Sequence, residues 1–113
     1  MNKNDERRAQ DIARQNDDLR QTLQFGEVVI TQGVMLLAPP LFVKVLAAVI
    51  GFYDFTPDND PYEEHDGAVL TVDGVKIIWK IDYYDKAKEF ASPDPVNPHV
   101  TIRVLTIMLA EEY

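Results

Sequence analysis

Apolar residues between residues 5 and 23 recur at helical spacing, which predicts an amphipathic first helix. The stripe consists of Ala9, Ile12, Ala13, Asn16, Leu19 and Leu23. Residues 1–4 precede this pattern and are expected to be disordered, as chain ends often are. After Gly26, β-branched residues at 28–31 predict a short strand. The apolar segment that follows Pro39-Pro40 predicts a second helix running to about residue 54.

The clearest local pattern is a β-hairpin centred on Asp73-Gly74. Two runs rich in β-branched residues, 69–72 and 75–79, flank this dipeptide, which is typical of a two-residue type I′ turn. The turn predicts three facing pairs, namely Val72 with Val75, Leu70 with Ile77, and Ala68 with Trp79. The face that carries these residues is predicted to be core, and the face with Lys76, Lys80 and Asp82 is predicted to be partly exposed.

The C-terminal segment, residues 99–112, carries two conflicting signals. Residues 101–104 are rich in β-branched side chains, as a strand would be. However, Asn97 as an N-cap, Pro98 in the first turn and the length of the segment favour a helix, and we predict a helix. Its buried stripe would consist of Val100, Val104, Ile107 and Met108.

The order of these elements predicts an α+β fold. Residues 1–113 are expected to form a single domain, since this length is close to the commonest domain size. The predicted architecture is a small antiparallel sheet, which includes the hairpin at 68–84, packed with about three helices.

The composition limits the classes of function. The net charge of −8 argues against direct nucleic-acid binding, which requires Lys and Arg to neutralise phosphates. The absence of cysteine excludes disulfides and thiolate sites and is in keeping with a cytoplasmic protein. Residues 34–53 contain one charge, Lys44, but Pro39-Pro40 would leave about 13 helical residues, too few to span a membrane. We therefore expect a cytoplasmic protein without a membrane partner.

An acidic loop is predicted between residues 54 and 66, where Pro57 and Pro61 exclude a continuous helix or strand. It contains no Lys or Arg, and its six carboxylates and one histidine are Asp54, Asp58, Asp60, Glu63, Glu64, Asp66 and His65. Because like charges repel, such a loop needs a bound cation, a basic partner or backbone hydrogen bonds to remain compact.

A divalent cation is the only cofactor that the residue types in this loop indicate. Carboxylates with one imidazole suit Mg²⁺, Ca²⁺ or Mn²⁺, and the candidate metal ligands are Asp58, Asp60, Glu64 and His65. The positions that an EF-hand loop reserves for glycine and glutamate hold Glu63 and Val69, so this is not an EF-hand. The alternative is that these side chains form Asx turns and caps.

A second group of polar residues lies next to the hairpin, and its candidate binding residues are Asp66, Lys80, Asp82, Tyr84 and Asp85. The predicted pairing brings His65 close to Asp82, and a His–Asp pair beside further acids could perform general acid–base chemistry. A metal-assisted hydrolase is therefore one function class, although His–Asp pairs are more often structural. Neither a nucleophile elbow nor a phosphate-binding loop is present in the sequence.

Several blocks of the chain resemble a family of small uncharacterised bacterial proteins that are often encoded on plasmids and other mobile elements. The blocks are Thr56-Pro57-Asp58-Asn59-Asp60-Pro61, Glu64-His65-Asp66, Trp79-Lys80-Ile81-Asp82-Tyr83-Tyr84-Asp85, and Arg103-Val104-Leu105-Thr106-Ile107-Met108-Leu109-Ala110-Glu111 with Tyr113. The resemblance covers nearly the whole chain but implies no catalytic residue. Members tend to have a glycine at the position of Glu63 and polar residues where this chain has Leu41, Phe42 and Val43.

We favour interaction with a protein over catalysis as the function. The helix after Pro40 is apolar on nearly every face, which indicates either a central element or a partner surface. The predicted face for a homodimer consists of Leu41, Phe42, Val45 and Val49. A more specific hypothesis is an acidic inhibitor that presents carboxylates where a DNA-processing enzyme expects phosphates; it follows from the charge and from the resemblance.

Overall fold

The computed structural model describes residues 2–113, and its first element is a long helix that begins at a side-chain cap. Asn2 accepts a hydrogen bond from the backbone N–H of Asp5 at 2.8 Å, so that the helix begins at Lys3. Residues 2–4, which were predicted to be disordered, therefore form the cap and first turn of this helix. Met1 lies outside the described residues. The elements are α1 (Lys3–Thr22), β1 (Glu27–Ile30), α2 (Gln32–Met35), α3 (Pro39–Ile50), β2 (Gly67–Val72), β3 (Val75–Tyr84), β4 (Ile102–Leu109) and a 3₁₀ turn (Ala110–Glu112).

The four strands form one mixed sheet in the order β1-β4-β3-β2. β4 pairs in parallel with β1 and antiparallel with β3, so the sheet is mixed rather than wholly antiparallel as predicted. The three helices and this sheet confirm the predicted α+β class. The hairpin has the predicted register throughout. Positive φ angles at Asp73 (48°) and Gly74 (83°) are those of a type I′ turn.

α1 and α3 pack on one face of the sheet and enclose the core. Trp79 and Ile77 are fully buried there, together with Leu19 of α1. α3 contributes Val45 and Val49, which are also fully buried. None of the helices within residues 2–113 combines the length and the apolar character needed to cross a membrane.

The prediction of a helix at 99–112 was wrong, because this segment forms the central strand β4 and a short 3₁₀ turn. Asn97 does not cap a helix; its side chain accepts a hydrogen bond from the backbone N–H of His99 at 2.9 Å and closes a turn. The strand pairs on both sides, with β1 and β3, and its β-branched residues decide its conformation.

Candidate functional site

α3 ends at Ile50 rather than near residue 54, and the acidic loop that follows contains neither helix nor strand, as predicted. Its conformation is fixed by local hydrogen bonds. The Asn59 side chain accepts from the Thr56 N–H at 2.8 Å and donates to the Asp54 carbonyl at 2.9 Å. One Asp60 carboxylate oxygen accepts from the backbone N–H of His65 at 3.0 Å. These hydrogen bonds between side chains and backbone close turns within the loop and give it a defined conformation.

Arg20 of α1 anchors the point at which the chain leaves α3 and enters the loop. Its guanidinium is 1% exposed, and Nη1 donates to the carbonyls of Val49, Ile50 and Phe52 at 3.0, 3.0 and 2.8 Å. The guanidinium carbon also lies 5.0 Å from the centre of the Trp79 ring. Because the last carbonyls of a helix lack intrahelical partners and carry partial negative charge, a buried cation stabilises this end of α3.

His65 ties the far end of the loop to α1. Its Nδ1 lies 3.0 Å from both carboxylate oxygens of Asp17, and its Nε2 lies 3.7 Å from an Asp60 oxygen. The imidazole stacks on Phe55 with a centroid separation of 3.9 Å. Asp17 also accepts from Arg20 at 3.0 Å, so one carboxylate of α1 joins both anchors.

A second buried polar network lies beside the first. Asn16 is fully buried and donates to the Glu64 carbonyl at 2.9 Å and to the Tyr83 hydroxyl at 2.8 Å. The Tyr83 hydroxyl donates in turn to the Glu64 carboxylate at 3.0 Å. Burial raises the pKa of Glu64, of Asp66 and of Tyr83 above their ordinary values. Holding the ionised loop against α1 therefore has an electrostatic cost that the hydrogen bonds offset.

The predicted metal ligands do not converge on a cation site. Asp58 is exposed, Asp60 bonds to the backbone at residue 65, Glu64 bonds to a tyrosine, and His65 bonds to a carboxylate of α1. Residues 2–113 contain no group of three or more His, Asp or Glu side chains that could hold a metal ion. The contact of Asp60 closes a turn, as the alternative expected, whereas Glu64 and His65 contact β3 and α1.

The predicted binding residues on β3 take part in structural pairs. Lys80 and Asp82 form an ion pair with each other. His65, which was expected near Asp82, contacts the carboxylates of α1 and of the loop instead. The backbone of Tyr84 forms an isolated antiparallel bridge with Ala91. The Asp85 carboxylate accepts hydrogen bonds from the backbone N–H groups of residues 89 and 90 at 3.0 and 3.4 Å. The Asp85 carboxylate therefore helps to close the turn after β3.

The four residues predicted as a dimer face point into the protomer instead. They are Leu41, Phe42, Val45 and Val49. The first two are partly buried against the core and the last two are fully buried, because this face of α3 packs on the core while the opposite face is exposed. These side chains are therefore occupied within the protomer, and a homodimer stays a prediction that needs another surface.

A family model described as "Protein of unknown function (DUF3768)" matches residues 30–112. The chain belongs to the DUF3768 family. Comparisons with curated proteins and with solved structures gave no match. The DUF3768 match contains the acidic loop, β2, β3 and β4, but it starts after α1. The helix that holds the loop in place therefore lies outside the matched region.

The anchors on α1 were missed as functional residues by sequence reasoning. Asn16 was placed in the buried stripe, and it is fully buried. Because a buried amide needs hydrogen-bond partners, the sequence could have predicted a polar contact at this position. Asp17 and Arg20 carried no such signal, since charged residues one turn apart on a helix usually form a solvent-exposed pair.

Proposed function

We propose that this protein is a protein-binding module whose acidic loop, residues 54–66, recognises a basic surface on its partner. The observation that carries the proposal is the lack of counter-charges. In the part of the chain that the structure describes, no Lys or Arg forms an ion pair with any carboxylate of this loop. Asp54, Asp58 and Glu63 are exposed. A partner with Lys and Arg would supply the missing charges and be steered toward the loop.

Two exposed tyrosines support the same reading. Tyr53, which is 88% exposed, immediately precedes the loop, and Tyr62, which is 70% exposed, lies within it. Tyrosine provides a large contact area with few rotatable bonds and is enriched at protein interfaces. Acidic groups beside exposed aromatic rings suit a basic protein surface, in which guanidinium groups pair with carboxylates and stack on rings.

The anchors within the protomer make the loop a preorganised surface. Arg20 fixes its beginning and the His65–Asp17 pair fixes its end. A partner would therefore meet carboxylates that already have defined positions, and the entropy lost on binding would be small.

In its finer form, the proposal is that this protein is an acidic inhibitor of a DNA-processing enzyme. The protein would be cytoplasmic and encoded on a plasmid or another mobile element. The charge of −8 and the fixed carboxylates support this form, since such an inhibitor occupies sites that normally bind phosphates. The alternative, a metal-assisted hydrolase, has an imidazole beside Asp17 and Asp60 in its favour. It has less support because the described residues provide no three-ligand group.

The test compares the wild-type protein with the triple variant Asp54→Asn/Asp58→Asn/Glu63→Gln. Immobilised protein is used to capture DNA-processing enzymes of the host, and each captured enzyme is then purified and its affinity is measured at several salt concentrations. At about 0.2–1 kcal/mol for each exposed charge pair, the triple variant should bind about threefold to a hundredfold more weakly. The wild-type affinity should also fall as salt rises.

The matched control is Glu6→Gln/Glu89→Gln/Glu111→Gln, which removes the same number of exposed carboxylates outside the loop. Equal losses in the two variants would show that net charge, not the loop, determines binding. Failure of the wild-type protein to bind or inhibit any DNA-processing enzyme would refute the inhibitor form. Sedimentation at micromolar concentration tests the homodimer, which a clean monomer would exclude.

A further inference from the structure

A cleft on the other side of α1 contains a buried cation, Arg103, that forms no ion pair within residues 2–113. The cleft lies between α1 and residues 96–101, has a volume of about 300 Å³, and includes Arg103 of β4 in its lining. This volume is at the lower end of the range of about 300–1,000 Å³ for small-molecule pockets. Arg103 is only 4% exposed.

All hydrogen-bond acceptors of Arg103 are neutral. Nε donates to the Asn16 side chain at 3.0 Å, Nη1 donates to the Gln15 side chain at 2.9 Å, and Nη2 donates to the Pro95 carbonyl. A guanidinium has five N–H groups, so one on each terminal nitrogen is left over. Arg103 forms no ion pair within residues 2–113. A buried charge of this kind is normally paired, because leaving it unpaired is costly.

A second cation lies close to the first. Burial lowers the pKa of Arg103, and the positive charge of Arg14 lowers it further, against the opposing effects of Tyr83 and Glu64. Arg14 also lines the cleft, and its own ion pair with Asp18 is exposed and long, at 3.8 Å. An anion placed between the two guanidinium groups would relieve their mutual repulsion.

The rest of the lining combines apolar side chains with the polar side chains of Asp11, Gln15, Asp18 and Thr101. Val96 and Pro98 contribute to one side, and Phe25, which is 75% exposed, contributes an aromatic ring. Phe25 has a φ of 72°, a left-handed conformation that is rare for a residue of this size. Asp11 also lines the cleft and has no ion-pair partner among residues 2–113. Its charge would disfavour a doubly charged anion and would accept an ammonium group.

The geometry points to a binding site for a small carboxylate with an aromatic or apolar body, held by the free N–H groups of Arg103 and by contact with Phe25. A planar carboxylate can accept two N–H groups of a guanidinium side by side. The ligand could be a simple carboxylic acid or an amino acid whose ammonium group faces Asp11. This site is separate from the acidic loop, and its occupation does not depend on the proposed partner.

The test titrates the full chain with 3-phenylpropionate, L-phenylalanine and the neutral 3-phenylpropionamide, and follows backbone amide NMR signals with calorimetry for affinity. We expect both acids to shift the signals of residues 96–101 and the amide to have no effect. Tighter binding of the amino acid would identify the zwitterion as the preferred ligand, and tighter binding of phenylpropionate would identify the simple acid. No shift with either acid at about 10 mM, well above the millimolar affinity of a weak ligand, would overturn the proposal. Equal binding of the amide would overturn it as well.

Two variants locate the ligand. Arg103→Gln should weaken binding by about tenfold to a hundredfold, the range expected for a charge-assisted hydrogen bond. Because Arg103 also holds Asn16 and Gln15, the exposed variant Phe25→Ala provides a test that leaves those contacts in place, with an expected loss of about threefold to tenfold. The matched control is Phe90→Ala, which removes an aromatic ring of similar exposure outside the cleft. Unchanged affinity in Phe25→Ala, or an equal loss in Phe90→Ala, would refute the assignment.

Discussion

Replacement of Arg20 by alanine tests whether a buried cation holds the start of the acidic loop. The wild-type guanidinium donates to the carbonyls of Val49, Ile50 and Phe52 and forms an ion pair with Asp17 at 3.0 Å. Alanine would leave the three carbonyls without this donor, and it would leave one carboxylate without its cation. A cavity would also open beside the aromatic core.

The expected loss in the free energy of unfolding is about 3–5 kcal/mol, the range for removing one partner of a buried pair. The hydrogen bonds cannot simply be added, because Nη1 has two hydrogens for three carbonyl acceptors and one contact must be shared. Since small domains have a total stability of about 5–15 kcal/mol, this loss would be a large fraction of the whole. At about 4 °C for each kcal/mol in a domain of this length, the melting temperature should fall by about 12–20 °C.

Urea denaturation followed by circular dichroism measures the change, and Arg14→Ala is the matched control. Arg14 belongs to the same helix, but its ion pair with Asp18 is exposed, with side-chain exposures of 64% and 51%. Its removal should cost less than about 1 kcal/mol. A loss below about 1 kcal/mol for Arg20→Ala, or equal losses in the two variants, would refute the anchoring role of Arg20.

Three further predictions concern the loop and its support. His65→Ala should lower stability by about 1–2 kcal/mol and speed hydrogen exchange within residues 56–65, since it removes the contact with Asp17; unchanged exchange would contradict this role. Asp66→Asn should stabilise the protein near neutral pH but not at acidic pH. Burial raises the pKa of Asp66 in the folded protein above its ordinary value of 3.8. The contribution of this group to stability is therefore fully present below pH 3.8 and is lost as the pH rises through the raised pKa. Urea melts at the two pH values test this, and an equal effect at both would contradict it. Gly26→Ala should cost about 1–3 kcal/mol in a thermal or urea melt, because the added Cβ would lie 2.7 Å from the carbonyl oxygen of Arg103; a neutral effect would show that β4 can move aside.

The hairpin was predictable because its signals are local. Asp73-Gly74 requires two positive φ angles, and the flanking β-branched runs then have only one register that puts Trp79 in the core. The helical stripe of α1 was predictable for the same reason, although Leu23 is a left-handed C-cap rather than a member of the buried stripe.

The C-terminal strand was not predictable from local signals. Asn97 and Pro98 satisfy the usual criteria for a helix start, but the following residues gain more by pairing with two strands at once. One of those strands, β1, lies more than 70 residues earlier in the chain, at Glu27–Ile30. Only the tertiary arrangement makes β4 central, and β-propensity in such a strand depends on burial and on neighbours.

The composition of the acidic loop could be read from the sequence, but its supports could not. The contact between Asp17 and His65 spans 48 positions, and the contacts of Arg20 with the α3 carbonyls span 29 to 32. No pattern within a helix predicts contacts of that separation. Asp60, Glu64 and His65, which the sequence offered as metal ligands, instead close a turn and bond to β3 and to α1.

The charge distribution and the hydrogen bonds together explain how contacts within the protein can order an acidic loop. Arg20, the buried cation that stabilises the start of the loop, bonds chiefly to the backbone carbonyls of Val49, Ile50 and Phe52. It therefore fixes the backbone and leaves the outer carboxylates of Asp54, Asp58 and Glu63 free of ion pairs. A loop whose own carboxylates were neutralised by lysines would be equally ordered but would present no net charge. Separation of the anchoring cation from the exposed anions allows a small protein to present an ordered acidic loop, and it is the physical reason to look for a basic partner.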